Sequence, residues 1–172
     1  MFLLKIYIIS ALTLLIHSLD SIGRTVVVCL FFGLLMAAAQ TDRKTMTIPD
    51  SLVFAALGIS FFSIPFFPEL GLPDRILGMC SASLLLLGAA ICIPGAFGGG
   101  DIKLTAACGL LLGWRYSLLA LGIAVFIGAA YGIWMLAIGK AGRKSRIAFG
   151  PFLCGGMAIA FLWGEEVLSL LF

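Results

Sequence analysis

Residues 26–42 read VVVCLFFGLLMAAAQTD, an apolar run from Val26 to Gln40 that ends almost at once on the carboxylate of Asp42. The run is continuous rather than alternating, which suits a helix and not a barrel strand. Similar runs recur outward in both directions, many of them near the twenty residues that carry a helix across a hydrocarbon core of roughly 30 Å. Composition agrees: 62% of the 172 residues are apolar and 11% charged, with a mean hydropathy of +1.20. A soluble domain carries about a quarter charged residues. The expected fold is all-α, a polytopic transmembrane helical bundle of about six to seven spans.

The candidate spans lie at about 3–19, 24–41, 51–67, 75–93, 102–114, 116–138 and 147–164, joined by short loops. They form a single domain over 1–172, with 1–23 as an extra N-terminal helix. That first run has the charged start of a signal peptide in Lys5. However, His17-Ser18-Leu19-Asp20 offers no small-residue cleavage site, so a retained helix is expected. The length leaves no room for a sizeable soluble domain.

Lysine and arginine set the expected orientation. With the loops 42–50, 94–103 and 139–146 on the side of the N-terminus, that side holds Lys5, Arg43, Lys44, Lys103, Lys140, Arg143, Lys144 and Arg146. The other side keeps Arg24, Arg75 and Arg115. The bias puts the N-terminus in the cytoplasm and the C-terminus outside. A net charge of +3 scattered in this way does not suggest nucleic acid. Cys29, Cys80, Cys92, Cys108 and Cys154 stand singly in apolar segments without a CxxC pair, as small buried hydrophobes do. Neither a disulfide framework nor a metal site is expected, and the sole histidine, His17, lies far from the acidic candidates. Small residues four apart, Gly109/Gly113 and Gly128/Gly132, suit close helix packing.

Three carboxylates fall on one side: Asp42 at the end of the second span, Asp50 eight residues on, and Asp101 after Gly98-Gly99-Gly100. Carboxylates at membrane depth are costly and turn toward a protein interior or a watery cavity. The three glycines permit φ > 0 and close approach of a substrate backbone. With Pro94 and Gly95 they suggest an irregular loop lining such a cavity. From Ile102 to Trp114 the apolar segment spans roughly 20 Å as helix, short for a full crossing. Two carboxylates within hydrogen-bond reach share a proton, so one acts as base on a water while the other polarises a scissile carbonyl. No cofactor is needed. On spacing alone, Asp42 beside Arg43 and Lys44 also fits a solvated loop charge, and the glycine run also fits a flexible turn or helix cap.

At these residues the chain resembles the type IV prepilin peptidases. Gly98-Gly99-Gly100-Asp101 matches the GxGD signature of intramembrane aspartic proteases, and Ile102-Lys103-Leu104 continues it as in prepilin peptidases. The segment from Asp42 to Ile48-Pro49-Asp50-Ser51-Leu52 resembles that family's other aspartate block, and Phe149-Gly150-Pro151-Phe152-Leu153 resembles its late FGP block. The resemblance implies that Asp42 and Asp101 are the catalytic pair, with residues 24–164 as the family core. Gly98, Gly99 and Gly100 become supports of the loop and the substrate backbone. Asp50, following Pro49, is expected to cap the helix beginning near Ser51. Asp50 and Lys103 are accessory candidates, with Lys103 facing the cytoplasmic site or lipid headgroups. The Tyr-Asp and Pro-Ala-Leu blocks of presenilin-like proteases are missing from the sequence.

The implied activity is removal of a basic leader from prepilin or pseudopilin precursors, after a glycine, at the cytoplasmic face of the inner membrane. Larger members carry a cysteine-paired cytoplasmic insertion and also methylate the new N-terminus. Only Asp20–Gly23 separate the first two runs here, so peptidase activity without methyltransferase activity is expected. The competing reading is a non-enzymatic membrane scaffold, or a small proton-coupled carrier using the same intramembrane acids.

Overall fold

Inside an apolar solvent the backbone has no partner but itself, so long apolar runs close their hydrogen bonds as helices. The computed structural model describes the backbone of residues 2–93, 97–139 and 148–171 and the side chains of 19–93, 97–139 and 148–170. Among these residues the chain is helical and without strands: α1 (Phe2–Thr45), α2 (Asp50–Phe62), a single 3₁₀ turn (Ile64–Phe66), α3 (Leu72–Cys92), α4 (Gly99–Ala137) and α5 (Gly150–Leu171). The basic loop Lys140–Arg146 and the expected irregularity at Pro94-Gly95 lie outside the described residues.

Among the described residues, four helices are long and apolar enough to cross a membrane: Leu19–Thr45 within α1, then α3, α4 and α5. The stretch Asp50–Phe66 is apolar but shorter. This differs from the six to seven separate spans expected. The first two runs are one helix, because Asp20–Gly23 holds a single glycine and no proline to end it. The runs at 102–114 and 116–138 are both within α4.

That long helix is not straight. Gly113 inside it has φ 72° and ψ 173°, a conformation that L side chains rarely adopt. Ile102 and Leu121, on either side of it, join one cluster around Ala82 and Leu86 of α3. In a straight helix they would stand roughly 28 Å apart at 1.5 Å per residue. The chain therefore turns back at Gly113, and α4 is two arms packed against the same helix.

Contacts along the arms give the bundle two ends. At one end, Gly113 meets Leu70, Gly164 meets Tyr116, Gly23 meets Phe66, and Arg24 bonds to Glu69. At the other end lie the C-terminus of α1 and the N-termini of α2, α4 and α5. The core between them joins Val27, Phe31 and Ala38 of α1 to Leu104, Ala107 and Leu111 of α4 and to Leu153, Met157 and Ala160 of α5. Phe31 and Phe161 seal the α1–α5 contact, their ring centroids 5.3 Å apart. Large apolar side chains such as Phe54, Ile91, Phe126 and Ile133 face outward, as lipid contact requires.

Backbones touch where α3 crosses the first arm of α4. A Cβ on Gly78 would overlap the Gly109 carbonyl, and one on Gly109 the Gly78 carbonyl. Gly109 thus serves the close packing its spacing suggests, whereas Gly113 serves the turn.

Arg75, counted among the charges of the outer side, is buried. It is 1% exposed. Its guanidinium donates to the carbonyls of Leu70, Phe67 and Leu110 and to the Ser63 hydroxyl. Carbonyls at helix ends carry partial negative charge and lack helical partners. One planar, five-donor group can satisfy several of them at once, which a lysine cannot.

Candidate active site

α1 ends through Met46, whose φ of 53° is left-handed and whose N–H bonds back to the Asp42 carbonyl at 2.8 Å. This αL termination turns the chain sharply after Thr45. Thr45 Oγ1 contacts the carbonyls of Thr41 and Thr47, tightening the turn. Ile48 is consequently buried, and Pro49 starts α2. Asp42 lies one turn above this stop, on the inner face of α1, and is 4% exposed.

Two helix N-termini meet there. The first N–H groups of a helix have no partner within it and favour negative charge. Gly150, opening α5, donates its N–H to Asp42 Oδ2 at 2.8 Å. A Cβ on Gly150 would stand 2.6 Å from that same oxygen, so only glycine allows the carboxylate this close. Asp101 occupies the third position of α4 and is 5% exposed. Its Oδ2 accepts the Gly98 N–H at 3.3 Å. Glycine has no side chain to return that bond, so only half of a capping box exists. Asp101 Oδ1 is buried without a hydrogen-bond partner among the described residues. Both carboxylates are thus buried at the same end of the bundle.

The structure corrects the reading of the glycine run. Gly98 is extended at φ −78° and ψ 145°, and Gly99 and Gly100 form the first turn of α4 rather than a loop. Their roles separate. A Cβ on Gly100 would come 2.9 Å from both Cβ and O of Ile48, so Gly100 lets α4 seat against the turn after α1. A Cβ on Gly99 would meet nothing within 4 Å. Gly100 is therefore constrained, while Gly99, the position the pattern leaves free, is open.

Asp50 is likewise not the cap of α2. Pro49 holds that position and Asp50 is the first helical residue. Its carboxylate pairs with Lys103 at 2.7 Å, both side chains being mostly exposed. The two accessory candidates are thus partners, linking α2 to α4 just outside the buried pair. No cluster of His, Cys, Asp or Glu suited to a metal ion occurs among the described residues.

Residues 29–133, more than half of the chain, match the type IV leader peptidase family. The chain belongs to that family. It is 31% identical to the prepilin leader peptidase/N-methyltransferase of Bacillus subtilis over 146 residues, 81% of this chain and 56% of that protein. The protein of the same name from Legionella pneumophila is 31% identical over 145 residues, covering 79% of this chain and 49% of the relative. That from Pseudomonas aeruginosa is 30% identical over 138 residues, with shares of 77% and 48%. The chain spans about half the length of the curated relatives it matches. No solved structure matches it.

As a leader peptidase family member, the chain joins its three motif blocks at one end of the bundle. The first block supplies Asp42 and Ile48, the second Gly100 and Asp101, and the third Gly150. Sequence reasoning assigned the third block no role. The signal was a glycine directly before Pro151, where a helix must begin and leave its first N–H free.

Proposed function

We propose that this membrane protein removes the basic leader from prepilin or pseudopilin precursors by aspartic hydrolysis at Asp42 and Asp101. One observation carries the reading: two aspartates from different helices are buried at the same end of the bundle, and one carboxylate oxygen, Asp101 Oδ1, has no hydrogen-bond partner among the described residues. An oxygen in that state is suited to hold a nucleophilic water or a substrate carbonyl. One carboxylate takes a proton from the water as its oxygen attacks the scissile carbonyl carbon. The other, protonated, donates to the carbonyl oxygen. Collapse of the tetrahedral intermediate breaks the C–N bond as the leaving amine receives a proton. The Gly150 N–H keeps Asp42 Oδ2 fixed throughout, so little reorganisation accompanies the reaction.

The bundle's two ends support cleavage at the cytoplasmic face of the inner membrane. Arg43, Lys44 and Lys103 are exposed at the end holding the pair. Burial takes Arg75 out of the opposite end's count, leaving Arg24 and Arg115 there. This orients the end holding the pair inward and the C-terminus outward. Because α1 runs unbroken from Phe2 to Thr45, its N-terminal end points outward too, against the cytoplasmic N-terminus expected from the basic residues. We assign peptidase activity alone: α1 is continuous through Asp20–Gly23, which leaves no room for an inserted methyltransferase domain at that point.

The test is co-expression with a candidate prepilin, scoring leader removal by gel shift and N-terminal mass. The wild type should cleave. Asp42→Asn and Asp101→Asn, at equal membrane abundance, should each fall by at least about a thousandfold. Cleavage at the wild-type rate by either variant would remove that residue from the mechanism.

A further inference from the structure

α4 begins without a capping side chain. Its N-cap is Gly98, extended at φ −78° and ψ 145°, the kind of backbone that serine or asparagine takes at such a position. A cap side-chain oxygen ordinarily accepts from the second or third N–H of the helix. Here the third, on Asp101, turns to the Gly98 carbonyl at 3.1 Å. The first two, on Gly99 and Gly100, have no acceptor among the described residues. Gly98 and Gly99 are both exposed, so an extended chain can approach this helix end.

A second observation faces the same point. Asp101 Oδ2 folds back to the Gly98 N–H at 3.3 Å, which holds the carboxylate over the start of α4. Its other oxygen, Oδ1, is buried without a hydrogen-bond partner among the described residues. Leaving such an atom unpartnered is costly. The helix end thus asks for two things at once: an acceptor for two N–H groups, and a partner for a carboxyl oxygen. A tetrahedral carbon bearing an oxyanion and a hydroxyl supplies both.

We propose that the N–H groups of Gly99 and Gly100 are the oxyanion donors of leader hydrolysis, so that the scissile carbonyl oxygen caps α4 as it gains charge. This rests on the aspartic reading above and deepens it. The water oxygen forms the new C–O bond as one carboxylate takes its proton, and the carbonyl π pair moves onto the carbonyl oxygen. That oxygen receives the two N–H groups together with the protonated carboxyl. The pair returns to carbon as the C–N bond breaks and the amine nitrogen takes up a proton. A helix N-terminus favours negative charge, so these donors hold the intermediate more strongly than the flat amide. Gly99 contributes backbone alone, which agrees with the open space where its side chain would be.

The test varies residue 98 in the whole protein, purified in detergent and given a prepilin substrate. Gly98→Ser and Gly98→Asn bring a capping oxygen to the two N–H groups. Gly98→Ala adds only the Cβ, 3.3 Å from Asp101 Oδ2, and measures the effect of crowding alone. Relative to Gly98→Ala, both capping variants should lose about a hundredfold in kcat, the usual cost of an oxyanion donor. KM should stay within about threefold, as for an interaction made only in the transition state, and the melting temperature should not fall. Affinity for a phosphinate peptide, tetrahedral and anionic at the scissile position, should drop in parallel with kcat. Equal kcat in the three variants with Asp101→Asn inactive would overturn the oxyanion assignment and leave the aspartic reading standing. A fall in kcat without a fall in phosphinate affinity would overturn it as well. Cleavage that survives Asp101→Asn would overturn both.

Discussion

The Gly150 N–H and the Asp42 carboxylate meet at 2.8 Å across 108 residues of sequence. The bond requires that residue 150 have no side chain, because its Cβ would stand 2.6 Å from Oδ2 and 2.8 Å from Cγ. Gly150→Ala is therefore expected to displace Asp42 and reduce leader removal about a hundredfold, the usual effect of an ångström-scale misplacement. Gly155→Ala, on the same helix with nothing within 4 Å of its Cβ, should keep full activity. Parallel cleavage assays of the two variants make the comparison, and equal activities would remove Gly150 from the site.

Asp50 and Lys103 are paired but mostly exposed. Exposed pairs contribute about 0–1 kcal/mol and weaken with salt. Asp50→Asn and Lys103→Gln should each keep cleavage within about threefold of wild type at 0.15 M salt, a small effect for rim charges of this kind. The double variant should resemble either single one. A loss of a hundredfold in Asp50→Asn alone would instead make Asp50 a member of the reacting group.

Two glycines of α3 should respond with opposite signs. Gly78→Ala forces a methyl group into the Gly109 carbonyl and should destabilise the protein by about 1–3 kcal/mol, the cost of overpacking. Gly88→Ala meets nothing within 4 Å and removes a flexible residue from a helix interior, for a gain of about 0.5–1 kcal/mol. Thermal unfolding in detergent should show melting temperatures displaced in opposite directions.

Glu69 lies in the loop before α3, outside the spans. Its carboxyl is held below the usual value of 4.5, first by the hydrogen bond from Arg24. A carboxylate with a depressed folded pKa contributes stability above its unfolded pKa and loses it as pH falls through the folded one. Acidification below about pH 4.5 should thus weaken the wild type progressively, and Glu69→Gln should show a shallower decline. Melting curves from pH 3 to 7 test this; parallel slopes would show the pair makes no net contribution.

The membrane class and the buried pair were legible because both rest on polarity, which a sequence states directly. An aspartate ending an apolar run, as Asp42 does, reports its environment wherever the chain goes next. Gly98–Gly100 were visible as a motif but misread as loop, since glycine fits a close helix–turn contact as well as an irregular backbone. Asp50 stands one residue past the cap because Pro49 is pre-set for the extended conformation that a cap requires. The reversal at Gly113 and the burial of Arg75 were not legible. A lone glycine does not announce its φ, and the carbonyls that bond Arg75 come from Phe67, Leu70 and Leu110, brought together only by the fold. The gap expected at Asp20–Gly23 failed for the opposite reason: polar residues do not end a helix that lacks a breaker.

The span of 108 residues between Asp42 and its donor also sets a clock. Synthesis proceeds from the N-terminus at about 5–20 residues per second, so residue 150 follows Asp42 from the ribosome by roughly 5 to 20 s. Throughout that interval the first aspartate is in the growing chain without the amide that holds it. The bond forms only after α5 has been made and docked against α1. A half-made chain therefore meets neighbouring membrane proteins with its acid unaligned, and the proposed hydrolytic centre comes into being only with the assembled bundle.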